Sequence, residues 1–160
     1  MPDLVTHSGV AYLIYRLLVK RGYLIIFLVG TILPDVITRI PFFLLESKFY
    51  WLFHPLHTPG GITLVCLWLS YFFEEDERKT IFISLWLGSI LHLGMDLLQY
   101  GIISQHLLLF PFSLRRYEIG LFSSEASMYT IPLWVGLIVV VEWALRNPGR
   151  LRRIEHASHN

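Results

Sequence analysis

Apolar residues fall into five runs along the chain, separated by short polar or basic breaks. Residues 80–95 carry no charge apart from a potential one on His92. Residues 126–141 carry none, and Trp143, Ala144 and Leu145 prolong that run past Glu142. Each comes near the length that a roughly 30 Å hydrocarbon layer requires at about 1.5 Å per residue. A shorter run from Gly61 to Phe73 stops at Glu74-Glu75-Asp76-Glu77-Arg78-Lys79. At the front, Leu4 to Val19, interrupted by His7 and Arg16, is divided from Gly22 to Leu33 by the basic turn Lys20-Arg21-Gly22. The pattern predicts an all-α, polytopic membrane protein of about five short transmembrane or membrane-embedded helices over residues 1–146. A basic tail, 147–160, follows.

Composition supports the membrane reading. Of 160 residues, 54% are hydrophobic and only 16% charged, against about 25% charged in a soluble domain. The single cysteine excludes a disulfide scaffold, and the apolar content excludes disorder. Thirteen basic against twelve acidic residues leave +1, too little for a general nucleic-acid binder. The first run lacks a basic start and an A-x-A-like cleavage site, so it is expected to be retained rather than removed as a signal peptide.

Basic residues orient the spans. Placing Lys20 and Arg21 in the cytoplasm also puts Arg78, Lys79, Arg146, Arg150, Arg152 and Arg153 inside. Arg39, Lys48, Arg115 and Arg116 then lie outside. That asymmetry follows the positive-inside rule and predicts the N-terminus out and the C-terminus in. Under this topology Asp3, His7, Asp35, His54, His57, His92 and Asp96 all fall at the external rim.

His92 and Asp96 are i and i+4, about 5–6 Å apart at Cβ on one helix face. Asp3 and His7 have the same separation. His54-Pro-Leu-His57 reads as a loop between Pro55 and Pro59. Imidazole with carboxylate suits zinc, iron or manganese, and the lack of thiolates argues against a cysteine-type zinc site. A carboxylate at membrane depth is costly unless paired or metal-bound. Plainer roles compete: Asp3 as a helix N-cap, His54 as a solvated loop residue, and His92–Asp96 as a helix-stabilising pair.

The segments Asp3-Leu-Val-Thr-His7, Gly30-Thr-Ile-Leu-Pro-Asp35, Leu56-His57-Thr58, Leu91-His92-x-x-x-Asp96 and Leu109-Phe-Pro-Phe-Ser113 together resemble the membrane-bound metal-dependent hydrolase family. That family includes a LexA-binding inner-membrane hydrolase. The resemblance covers about residues 1–122. It implies an inner-membrane protein whose metal site uses His7, Asp35, His57, His92 and Asp96. The His-x-x-x-Asp helix is similar to that of zinc-dependent phospholipase C and P1-type nucleases. The chain departs from the family at the loop, usually His-Arg-Gly-x-Thr-His-Ser, where it has His54-Pro-Leu-His57-Thr58 without the arginine.

The expectation is a divalent metal, zinc foremost, held by His7, Asp35, His57, His92, Asp96 and His54. Asp96 or Asp3 would take the proton of an activated water. Thr6, Ser8 and Thr58 would orient histidines. Arg115 or Arg116 would bind a phosphate or meet lipid headgroups, and the substrate would be a phosphoester or lipid-linked ester at the membrane surface. The alternative is a non-catalytic membrane protein whose metal staples short helices and whose loops bind a partner. Polar residues gathered at one rim argue against a transporter.

Overall fold

The computed structural model describes residues 3–18, 22–44, 50–100, 107–123 and 125–147, except the side chains of Asp3, Phe42, Phe43, Tyr50, Trp51, Ser127 and Met128. The tail from 148 onward, with its basic residues, lies outside the described residues, as do Lys20, Arg21 and Lys48.

The five apolar runs become five long helices: α1 (Asp3–Leu18), α2 (Leu24–Leu44), α4 (Pro59–Ser70), α5 (Arg78–Leu97) and α7 (Ile131–Arg146). Short pieces join them: α3 (Tyr50–Phe53), a 3₁₀ turn (His54–His57) and α6 (Ala126–Tyr129). Two-residue strands β1 (Gln99–Tyr100) and β2 (Phe122–Ser123) pair in parallel. Among the described residues, two stretches, Leu24–Pro41 and Arg78–Leu97, are long and apolar enough to cross a membrane, fewer than the five spans that the apolar runs suggested. At 16 residues each, α1 and α7 reach about 24 Å, and α4 with 12 residues reaches about 18 Å.

Helix α2 runs further than its sequence suggests. Leu-Pro-Asp was expected to close the second run, yet the helix continues through Pro34 and Pro41 to Leu44. A proline inside a helix withdraws the N–H that would bond the carbonyl four residues earlier. For Pro34 that carbonyl belongs to Gly30, and the Ser89 hydroxyl on α5 reaches it at 2.8 Å, its one proton shared with the Leu85 carbonyl at 2.9 Å. Ser89 is fully buried. Ser89→Ala is therefore expected to destabilise the protein by about 1–3 kcal/mol, the cost of a buried unpaired acceptor, measured by equilibrium unfolding in mixed micelles.

The same crossing explains how closely α2 and α5 approach. A Cβ on Gly30 would overlap the Leu85 carbonyl oxygen, and one on Gly88 would overlap that of Phe27. Small residues at such contacts let membrane helices pack backbone to backbone. Around the crossing, Ile62 and Cys66 of α4 meet Ile81, Leu85 and Leu93 of α5 in one core, while Ala11, Tyr15 and Phe27 join α1 to α2. Cys66 is fully buried, and a thiol in such apolar surroundings is inert. Helix α7 has no buried residue, and its Leu133, Val135, Val139 and Val140 stay exposed, a surface suited to lipid.

The fifth run is broken at Thr130, where Pro132 in the first turn of α7 cannot extend a preceding helix. Glu142 of α7 accepts from Tyr12 Oη at 2.6 Å and Arg16 Nε at 2.7 Å on α1. That explains how an arginine sits within the first apolar run. The start of α2 lies at this same end, where Tyr15 Oη accepts from the Tyr23 backbone N–H at 2.8 Å and Tyr23 Oη donates to Glu77 at 3.4 Å. The opposite end of the bundle holds His7, Asp35, His57, His92 and Asp96.

Candidate metal centre

Four elements deliver the site. His7 comes from the second turn of α1 and Asp35 from the middle of α2, while His92 and Asp96 share one face of α5. His57 closes the 3₁₀ turn, which Thr58 locks: its hydroxyl donates to the Pro55 carbonyl at 2.7 Å and accepts from the Gly61 N–H at 3.1 Å, capping α4. The pair His54-x-x-His57 thus lies on a 3₁₀ turn rather than in an open loop. Thr58, expected to orient a histidine directly, instead fixes the backbone that carries one.

Asp96 is the hub. Its Oδ1 lies 3.1 Å from His7 Nε2, and its Oδ2 lies 2.9 Å from His57 Nε2 and 3.2 Å from His92 Nε2. Asp35 Oδ1 approaches His92 Nε2 at 3.7 Å. The rings crowd together, with His7 and His92 centroids 4.4 Å apart and His57 and His92 5.5 Å. His7 and His92 are 1% exposed and Asp35 4%, so no bulk water shields these groups from each other.

Three features fit this donor set to a cation. Ligand atoms around a tetrahedral zinc, at about 2.0–2.1 Å from the ion, stand roughly 3.3 Å apart, close to the separations seen here. His57 Nδ1 faces the Pro34 carbonyl at 3.3 Å. A carbonyl only accepts, so a proton on Nδ1 would satisfy it and leave Nε2, 2.9 Å from Asp96 Oδ2, as the nitrogen that an ion at the cluster would take. A backbone carbonyl that fixes the tautomer in this way is the usual companion of a metal-binding histidine. Finally, both ring nitrogens of His92 are buried and make no hydrogen bond, although such groups ordinarily find partners. His7, His92 and Asp96, and Asp35, His57 and His92, form two overlapping groups that could hold a metal ion.

The structure brings together five of the residues expected at the site: His7, Asp35, His57, His92 and Asp96. It does not bring His54 into either group. His54 is half-buried at the start of the turn, and its pKa is lowered by burial, then by the charges of His57 and Arg116. Asp3 opens α1, and its side chain lies outside the described residues. Arg115 and Arg116 are exposed, and Arg115 stacks over the Tyr117 ring at 5.7 Å. Neither enters the cluster.

Three contributors escaped the sequence. The Pro34 carbonyl and the Thr38 hydroxyl, 3.5 Å from His57 Nδ1, orient His57 from α2. Arg39 Nε donates to Asp35 Oδ1 at 2.8 Å. The i,i+4 spacing of Asp35 and Arg39 was a usable signal for this pair. The carbonyl left none, because it depends on the 3₁₀ turn lying against α2.

Helices of membrane-crossing length around a buried three-histidine, two-carboxylate centre define a helical membrane protein with a possible metal site. The chain belongs to the YdjM inner membrane protein family, whose model matches residues 1–155. Proteins of this family are described as membrane-bound metal-dependent hydrolases. No curated protein and no solved structure matches the chain.

Proposed function

We propose that the protein is a membrane-bound, metal-dependent hydrolase acting on a phosphoester or lipid-linked ester at the membrane surface. The observation that supports this reading is the convergence of three imidazole Nε2 atoms and two carboxylates at one end of the bundle. His7, Asp35, His57, His92 and Asp96 form the ligand set, for zinc first and for iron or manganese as alternatives. A divalent ion in such a site supplies Lewis acidity and makes water a nucleophile near neutral pH. Asp96 is the more exposed carboxylate, its side chain at 12% against 6% for Asp35. It is therefore the group that takes up the proton of the attacking water. The Pro34 carbonyl and Thr38, both facing His57 Nδ1, orient the ring so that Nε2 points into the cluster. Arg115 and Arg116 meet the anionic surface or substrate, and the centre faces outward while the C-terminus lies in the cytoplasm.

Elemental analysis of gently purified protein, followed by assays on phosphomonoesters, phosphodiesters and phospholipids, tests the reading. Wild type is expected to carry at least about one equivalent of a transition metal, as a closed His/Asp donor set should. His57→Ala loses both metal and turnover, whereas His54→Ala keeps both. Metal-free wild type, or full turnover in His57→Ala, overturns it. The stapling alternative draws support from the four elements that the cluster joins. It requires bound metal with no hydrolysis of any substrate, and a lower melting temperature in His57→Ala.

A further inference from the structure

Arg39 has no role in the ligand set, yet only one oxygen atom separates it from the histidines. Its Nε donates to Asp35 Oδ1 at 2.8 Å, and that same oxygen lies 3.7 Å from His92 Nε2. The carboxylate is buried, with its side chain 6% exposed, but the guanidinium side chain is 37% exposed. Arg39 therefore stands where the buried cluster meets the surroundings. Among the described residues, its terminal amino groups make no hydrogen bond or ion pair.

A guanidinium presents five N–H donors in a rigid plane. Anchored through Nε, it keeps two amino groups for a ligand, a geometry that matches paired oxygens of a phosphoryl group. Charge points the same way. Two carboxylates cancel a divalent ion, so Arg39 supplies the net positive charge that attracts an anion. An ordinary surface ion pair would leave both partners in solvent, whereas here only the cation reaches it.

We propose that Arg39 is the anion-docking residue of the centre. It grips the phosphoryl group of a phosphomonoester or phospholipid headgroup and holds it against the cluster. This inference rests on the metal-centre reading above and names the substrate class: an ester bearing a terminal phosphoryl group.

The test uses the full chain, loaded with zinc, in phosphatidylcholine nanodiscs. Zinc content is measured by elemental analysis and the affinity for inorganic phosphate by calorimetry. Arg39→Gln should keep its zinc and lose at least about tenfold in phosphate affinity, in line with the loss of a charge-assisted bidentate contact. Arg39→Lys should fall between the two, since lysine keeps the charge without the fork. Lys79→Gln, which removes a charge at the other end of α5, should match wild type. Doping the nanodiscs with phosphatidic acid distinguishes the sources. Competition with inorganic phosphate indicates a headgroup ligand, and its absence a soluble phosphomonoester.

Equal phosphate affinity in wild type and Arg39→Gln overturns the proposal while leaving the metal centre intact. So does a pattern in which Arg39→Gln loses zinc and phosphate together while Arg39→Lys keeps both at wild-type strength, for then Arg39 serves Asp35 alone. Wild type that binds no zinc overturns the metal-centre reading itself, and the docking role falls with it.

Discussion

Asp96→Ala is expected to empty the metal centre. Asp96 touches all three histidines: one carboxylate oxygen faces His7 and the other faces His57 and His92. Truncation leaves three buried imidazoles with Asp35 as the remaining carboxylate, 3.7 Å from His92. Metal affinity should drop by more than about 100-fold, beyond the roughly 10–100-fold typical of losing an outer partner. Thr38→Val supplies that milder comparison, since the Thr38 hydroxyl donates to the Pro34 carbonyl and reaches the cluster through His57 Nδ1. Metal content after dialysis against a graded chelator reads both variants, with circular dichroism to confirm that the helices persist. Stoichiometric, wild-type-strength metal in Asp96→Ala would remove Asp96 from the ligand set.

The second large effect concerns the α2–α5 crossing. Gly88→Ala places a methyl group into the Phe27 carbonyl oxygen and against the Thr31 backbone nitrogen. Overpacking usually costs about 1–3 kcal/mol. Here the obstacle is helix backbone rather than a side chain that can rotate away, so a loss of about 3 kcal/mol or more is expected. Gly94, on the same helix, has open space around its Cβ position. Gly94→Ala should accordingly gain about 0.5–1 kcal/mol from the lower backbone entropy of the unfolded chain. Equilibrium unfolding in mixed micelles compares the two. The crossing also sets the distance between Asp35 on α2 and His92 on α5, so Gly88→Ala should weaken metal binding as well. Equal stability of the two variants would show that the helices do not pack this closely.

How much of this was legible depended on whether the cause lay within one segment. Continuous apolar runs located all five long helices, because length and hydrophobicity are local properties. The i,i+4 spacing of His92 and Asp96 placed them correctly on one face, as a helix must. Alternating the spans predicted that Asp3, His7, Asp35, His54, His57, His92 and Asp96 would share one rim, and His7, Asp35, His57, His92 and Asp96 do gather together. The extent of α2 was misjudged, because Pro34 looks like a terminator until Ser89, 55 positions away in sequence, is seen to satisfy the Gly30 carbonyl. His54 was grouped with His57 on spacing alone. The 3₁₀ turn that separates their roles is fixed by Thr58 and by packing against α2, neither of which shows in the residue pattern. Arg39 was counted as a topology charge, and its contact with Asp35 gives it a second part.

The tie between Arg16 and Glu142 bears on how the protein is made. Their positions are 126 residues apart, so synthesis must pass residue 142 before the arginine meets its carboxylate. An unmatched arginine is expensive in hydrocarbon, which disfavours early docking of the first helix. That helix also carries His7, so the last helix, by seating the first, steadies one imidazole of the cluster.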